Sequence, residues 1–182
     1  ASDVYKRQMY QWCLRVSAYA GRLLDDHIEW AKFTDAAWWK DGFFYSAYDR
    51  PVAGKEFSNA NENHRIYYHK LGTPQSSDVL AFEDKEHPLH FHTAYVPENE
   101  RSLFVFVGGQ GFGEGMMVKD LTRPDAKWVV MEPSQDYSNS VVDVIGDDVY
   151  ILTSADAQRN RLVKAPLSNL SLIHISEPTR RS

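Results

Sequence analysis

Three histidines lie close together in the sequence, at His87, His90 and His92. On a β-strand, residues two apart point to the same face, so His90 and His92 could offer two imidazole ligands to a zinc ion. Pro88 and the charged residues before it instead favour an exposed strand entry with solvated imidazoles. We favour the second interpretation, and the sequence therefore predicts no metal site.

A glycine-rich run spans Gly108 to Gly115 and invites comparison with phosphate-binding loops. Such loops hold phosphate because a helix N-terminus with free N–H groups follows the glycines. Here a strand-like apolar run, Met116 to Val118, follows instead. We expect a mobile hairpin loop between two strands, with glycines that permit positive φ.

Paired carboxylates occur at Asp25–Asp26 and Asp147–Asp148. Adjacent residues on a strand point to opposite faces, so neither pair is expected to share acid–base work, and turn chemistry explains both. The sequence contains no Gly-x-Ser-x-Gly nucleophile elbow, and we predict no catalytic residue.

Four tryptophans remain as a possible ligand-stacking platform: Trp30, Trp38, Trp39 and Trp128. Large rings also fill the contacts between packed sheets, and we favour that role for them.

Composition narrows the class of protein. The 182 residues carry 20 Lys+Arg and 25 Asp+Glu, and 43% are hydrophobic, which is typical of one globular domain. A mild acid excess and the lack of a long apolar run argue against nucleic-acid and membrane partners. The single Cys13 excludes an internal disulfide. No cofactor is predicted, and the compartment stays open between cytoplasm and periplasm.

The elements that must position these side chains are short strands in a repeat. Three segments share a pattern at intervals of 50 and 45 residues: Ile66–Leu71, Met116–Leu121 and Arg161–Lys164. A tight turn and an apolar strand precede each one: Trp39–Tyr45, Pro97–Val105 and Ile145–Ile151. Further strands are predicted at Val79–Phe82, Trp128–Met131 and Ser140–Val144, and a long loop at Tyr48–Asn63. Four strands per 40–50 residues is the pattern of a β-propeller blade, so we predict an all-β partial propeller of about three four-stranded antiparallel blades.

The two ends of the chain are related through the DNA that can encode them. Asp3–Gln8 can be encoded by DNA whose reverse complement encodes Leu170–Ile175. This indicates translated sequencing-adapter DNA, so we expect residues 1–8 and 170–182 to be non-native and residues 9–169 to be a domain fragment. Since an incomplete propeller leaves open sheet edges, we expect the expressed chain to aggregate or to fold only partly.

Several motifs resemble the N-terminal propeller domain of the prolyl oligopeptidase family. They are Ile28–Phe33, Asp41–Ser46, Tyr67–Leu80 and Leu152–Val163. The resemblance implies a seven-bladed ring that caps an α/β-hydrolase domain with a Ser-Asp-His triad. It implies an endopeptidase that cleaves short peptides after proline, with the propeller restricting access to the active site.

The resemblance also suggests roles for particular residues. Phe33 would line an apolar substrate subsite, the alternative being that it lies in a blade core. The glycine-rich loop departs from the family pattern, so no contacts are transferred to it. The implied partners are short proline-containing peptides and a C-terminal hydrolase domain, without which this chain is expected to be inactive. A non-enzymatic propeller that serves as an interaction scaffold is the alternative.

Overall fold

The computed structural model describes residues 14–17, 23–50, 61–109, 111–157 and 159–167. In this part of the chain the structure is all-β, as predicted. The two adapter-like segments, residues 1–8 and 170–182, lie outside the described residues, as does most of the predicted loop over residues 48–63. Among the described residues, no helix has the length and apolar character needed to cross a bilayer.

The chain divides into two compact units, residues 1–94 and residues 95–182. Near the start, two antiparallel strands pair: β1 (Leu14–Ser17) and β2 (Leu23–Ile28). A four-stranded antiparallel sheet follows with its strands in sequence order: β3 (Ala37–Trp39), β4 (Gly42–Ala47), β5 (Arg65–Lys70) and β6 (Val79–Phe82). A 3-10 helix at Gln75–Ser77 lies just before β6.

Two further sheets continue the same meander. The second four-stranded sheet contains β7 (Phe91–Tyr95), β8 (Ser102–Gly108), β9 (Gly115–Asp120) and β10 (Val129–Glu132). The last sheet has three strands: β11 (Asn139–Ile145), β12 (Asp148–Thr153) and β13 (Arg161–Pro166). The prediction of about three antiparallel blades is therefore confirmed, with three strands rather than four described in the third.

Each of the three predicted tight turns contains one residue with left-handed backbone. These residues are Lys40 (φ 50°), Glu100 (φ 53°) and Gly146 (φ 64°). A left-handed residue lets the chain reverse within a few positions, and it recurs at the place that the sequence repeat marks.

Burial along the strands explains their apolar patterns. All six residues of β4 are buried, which is why its sequence is a continuous apolar and aromatic run. By contrast, β12 alternates between buried and half-buried side chains, as expected for a strand with one covered face. The core of the first unit is built around Ile28, Phe43 and Tyr45.

The glycine-rich segment connects β8 to β9 in one hairpin, as predicted. The N–H of Gly113 donates to the carbonyl of Gln135 at 2.8 Å, and that of Glu114 donates to Tyr137 O at 2.9 Å. A Cβ at Gly111 or Gly113 would overlap the backbone carbonyl of Gln135 or Tyr137, respectively. Close backbone contact therefore explains these two glycines, and the expected positive φ is found in this loop at Gly109 (φ 134°).

We predict that Gly113→Ala destabilises the second unit by about 2 kcal/mol or more, because the backbone must move and lose its hydrogen bond to Gln135. The control is Gly146→Ala, where a Cβ meets nothing within 4 Å and only the φ of 64° opposes the change. We expect about 1 kcal/mol there. Urea unfolding of both variants compares the costs, and equal losses would contradict the close-contact explanation.

Candidate functional site

Phe33 lies in the segment between β2 and β3 and has a left-handed backbone with φ 50°. Trp30, three residues earlier, has φ 61°. Bulky residues rarely adopt this conformation, which costs about 1–3 kcal/mol and persists only when surrounding contacts enforce it. Phe33 is 55% exposed, so it is not packed in a core formed by the described residues.

The segment that carries Phe33 is held by backbone contacts to β4 and to His64. Lys32 N donates to the carbonyl of Ser46 at 3.2 Å, and Ser46 N donates to the hydroxyl of Thr34 at 2.7 Å. The carbonyl of Lys32 lies 2.8 Å from Nε2 of His64. These contacts on both sides of Phe33 enforce its unusual backbone.

Beneath this segment, His64 and His92 form a buried pair with defined tautomers. The backbone N–H of His92 donates to Nδ1 of His64 at 2.8 Å, so the proton of the neutral His64 ring is on Nε2 and is donated to Lys32 O. Nδ1 of His92 in turn donates to the carbonyl of His64 at 2.8 Å. Both rings are nearly inaccessible, at 1% exposure.

Burial keeps both imidazoles neutral. It lowers the pKa of His64 to about 4, an effect that the hydrogen bond to the Lys32 carbonyl only partly offsets. Burial likewise lowers the pKa of His92, against a smaller opposing effect of its hydrogen bond to His64. The pair therefore acts as an uncharged support for the segment above it.

The exposed side of the segment combines aromatic rings with one cation. Nζ of Lys32 lies 5.3 Å from the Phe33 ring centroid and 5.9 Å from that of Tyr48, and it donates to the side-chain oxygen of Asn61 at 3.1 Å. The Phe33 ring lies 6.3 Å from Phe91. An apolar ring beside an ammonium suits a ligand with an apolar group and a nearby carbonyl or carboxylate.

A second polar cluster surrounds His69, which is 1% exposed on its side chain. Its Nδ1 lies 2.7 Å from Oδ1 of Asp78, and its Nε2 lies 3.1 Å from Oδ1 of Asp26. Asp26 also accepts the N–H of Gly72 at 2.6 Å. Burial alone raises the pKa of Asp26, but the hydrogen bonds from Gly72 and His69 outweigh it and hold the pKa below its ordinary value.

The same cluster continues through Asp78. The hydroxyl of Tyr45 donates to Oδ2 of Asp78 at 2.8 Å, and Gln75 Nε2 lies 3.2 Å from that hydroxyl. Burial and the carboxylate of Asp78 raise the pKa of Tyr45. The amide of Gln75 also exchanges two hydrogen bonds of 2.9 Å with the backbone of Glu29. The cluster joins β2, β4 and β5 to the 3-10 helix, which is a structural role.

The fold separates His92 from the other two histidines of this run, His87 and His90, whose rings stack with centroids 4.6 Å apart. His92 is buried and belongs to the pair with His64, while His90 precedes β7 and is 6% exposed. The expectation of solvated imidazoles is therefore wrong for both, because neighbouring segments cover them. It holds for His87, whose side chain is 48% exposed. The alternative that the sequence left open, His90 and His92 on one strand face, is not found, because the strand begins only at Phe91.

The two carboxylate pairs noted in the sequence lie on β2 and at the β11–β12 turn. Asp25 and Asp26 lie within β2 rather than in a turn, and they point to opposite sides, one exposed and one buried. Asp147 lies in the β11–β12 turn. Asp148 begins β12, and its Oδ2 forms an ion pair with Nζ of Lys164 at 2.7 Å.

Three of the tryptophans have ring or cation contacts within their own sheets. Trp39 stacks on Phe44 with ring centroids 5.8 Å apart, and Trp38, 48% exposed, meets Phe43 edge-on at 5.2 Å. Trp128 lies 5.9 Å from Nζ of Lys119. They do not join two sheets, so packing between sheets stays a prediction for these rings.

Consecutive antiparallel sheets in meander order are typical of β-propeller blades. The chain matches the family model for the N-terminal β-propeller domain of prolyl oligopeptidase over residues 9–178. It therefore belongs to the prolyl oligopeptidase family, as the sequence motifs suggested.

Similar proteins agree with this assignment. The prolyl endopeptidase of Elizabethkingia meningoseptica is 34% identical over 155 residues, which are 85% of this chain and 22% of that protein. The corresponding enzyme of Elizabethkingia miricola is 31% identical, with the same coverage of 85% and 22%. The chain thus spans about a fifth of the length of these curated relatives.

Solved structures share the fold. A structure from a study of two prolyl endopeptidases superposes with a TM-score of 0.77 at 24% identity, covering 93% of this chain and 25% of that one. Prolyl oligopeptidase B from Galerina marginata, solved with a 35mer hydrolysis and macrocyclization substrate, gives a TM-score of 0.73 at 23% identity, covering 89% and 23%.

Proposed function

We propose that this chain is the substrate-gating propeller portion of a prolyl oligopeptidase, a serine endopeptidase that cleaves short peptides after proline. Membership of the N-terminal propeller family supports this proposal, and so do the curated relatives, which are prolyl endopeptidases. In this function the propeller limits entry to short peptides, and a separate C-terminal α/β-hydrolase domain carries out hydrolysis. The chain alone contributes no catalytic residue.

The observation that carries the proposal within this chain is the exposed ring of Phe33. Strained backbone at a bulky residue is concentrated at functional sites, where the surrounding structure enforces it. Here a buried histidine pair and β4 hold the segment, while the ring itself stays 55% exposed. We assign Phe33 to the wall of an apolar subsite for the peptide substrate.

A substitution in the full-length protein that the gene encodes tests this role. We expect Phe33→Ala to lower kcat/KM for a short proline peptide by about tenfold, mainly through KM, because an apolar contact of about 1–1.5 kcal/mol is lost. Phe112→Ala is the matched control, since Phe112 is fully exposed in the β8–β9 hairpin. Equal kinetic effects in the two variants would argue against a subsite at Phe33.

A non-enzymatic interaction scaffold is the competing function, because many propellers bind partners without catalysis. The coding sequence downstream of Asn169 separates the two. The peptidase proposal predicts a Gly-x-Ser-x-Gly elbow followed by the Asp and His of a triad. Further propeller repeats and then a stop codon would favour the scaffold.

A further inference from the structure

A second group of side chains lies in the connection between β6 and β7. Asp84, His87 and His90 each offer one ligand atom there, and these atoms lie within 4.8 Å of one another. The two imidazole rings stack almost parallel, with centroids 4.6 Å apart and an interplanar angle of 9°. The residue spacing is Asp-x-x-His-x-x-His, which differs from the His90 and His92 pair considered in the sequence.

The distances in this group match the size of a zinc site. Oδ2 of Asp84 lies 3.0 Å from Nδ1 of His87 and 3.4 Å from Nδ1 of His90. A tetrahedral zinc ion with bonds of about 2.0–2.2 Å places neighbouring ligand atoms about 3.3–3.5 Å apart. Two of the three separations are therefore close to those of a zinc site, and the third is no more than 4.8 Å.

The backbone holds these ligands in place. Oδ1 of Asp84 accepts the N–H groups of Glu86 at 3.0 Å and His87 at 3.2 Å, which turns Oδ2 toward the rings. His90 N donates to His87 O at 3.0 Å and closes the turn between the two histidines. Asn63 N donates to the carbonyl of Pro88 at 2.7 Å and ties the turn to a neighbouring segment.

Burial differs among the three side chains. His90 is 7% exposed and Asp84 20%, so the site is partly desolvated, while His87 at 48% leaves one side open for entry.

We propose that Asp84, His87 and His90 bind one zinc ion, with water completing its coordination. Two imidazoles and one carboxylate suit a borderline metal such as Zn²⁺, whereas Mg²⁺ and Ca²⁺ prefer oxygen ligands. The ion would fasten the β6–β7 connection to the start of β7. This proposal does not depend on the peptidase function.

Isothermal titration of the metal-free, tag-free full-length protein that the gene encodes, with zinc chloride, tests the site. We expect one zinc ion per chain and no response to magnesium or calcium at equal concentration. Cobalt as a substitute is expected to give visible d–d absorption from a low-symmetry site. His87→Ala should weaken zinc binding at least about tenfold, and Asp84→Asn should weaken it while keeping the turn acceptor Oδ1.

His27→Ala is the matched control, because His27 is exposed on β2 and lies outside the group. Zinc binding should be unchanged in this variant. The proposal is overturned if the chain binds no zinc, or if His87→Ala and His27→Ala bind it equally well. Circular dichroism of each variant before titration shows that a lost signal reflects the ligand rather than misfolding.

Discussion

Replacing Asp78 with alanine is expected to destabilise the first unit by about 3–5 kcal/mol. Asp78 is 3% exposed on its side chain and binds two buried groups at once, Nδ1 of His69 and the hydroxyl of Tyr45. Both nitrogens of the His69 ring face a carboxylate oxygen, which can only accept hydrogen bonds. The His69 ring therefore bridges two buried acidic side chains through both of its nitrogens.

Without Asp78, the His69 ring would keep only its contact with Asp26, and the Tyr45 hydroxyl would lose its acceptor. Buried hydrogen-bonding groups that are left without a partner are costly, whatever the net contribution of the intact contacts. The damage should extend to the 3-10 helix, because Gln75 contacts the same hydroxyl at 3.2 Å.

Asp41→Ala is the matched control for this prediction. Oδ2 of Asp41 forms an ion pair with Nζ of Lys70, a residue of the same sheet, at 2.8 Å, but the Asp41 side chain is 58% exposed. Exposed pairs contribute about 0–1 kcal/mol, so the control should stay close to the parent chain. Amide hydrogen exchange in β4 and β5 measures both variants locally. A similar loss of protection in the two would contradict the importance of burial.

Strands and turns were predictable from the sequence because their signals are local. The run Val79–Phe82 was predicted as a strand with the bounds that β6 has, and the three tight turns were located by the repeat. Alternation, apolar runs and turn residues depend on neighbours within a few positions. The strand repeat predicted the propeller class, and the family motif Tyr67–Leu80 contains both His69 and Asp78 of the buried cluster.

The site was less predictable because its contacts join distant parts of the chain. His64 contacts His92 and the carbonyl of Lys32, at separations of 28 and 32 residues, and no local pattern marks it. His90 and His92 seemed equivalent by strand alternation, yet β7 begins only at Phe91. Burial by neighbouring segments lowers the pKa of His92, which local sequence does not encode.

Acidification is expected to destabilise the first unit through His64 between about pH 6.5 and pH 4. The ordinary pKa of histidine near 6.5 applies in the unfolded chain, whereas burial lowers the pKa of His64 to about 4 in the folded chain. Within this window the unfolded chain binds a proton that the folded chain does not. Stability is therefore complete above pH 6.5 and falls as the pH decreases, by about 3 kcal/mol in all.

His92, whose pKa is also lowered by burial, adds to the effect in the same direction. Carboxyl groups with a lowered pKa, such as Asp26 and Asp84, change stability only near and below their ordinary pKa of 3.8. Their effect on stability therefore falls at lower pH than that of the histidines. Charging His64 would also remove the Nδ1 acceptor of the His92 N–H, and the support beneath Phe33 would be lost together with the stability.

Urea unfolding followed in β4 and β5 from pH 7.5 to pH 4 measures this slope. His64→Gln should lower stability at neutral pH, because the glutamine amide cannot reproduce both hydrogen bonds of the imidazole, to Lys32 O and from His92 N. The same variant should flatten the pH dependence. His27→Gln changes an exposed histidine on β2 and should leave the slope as it is. If His64→Gln retains the full slope, His64 is not the group that titrates. A flattened slope would tie the acid sensitivity of this unit to the buried pair that holds the Phe33 segment.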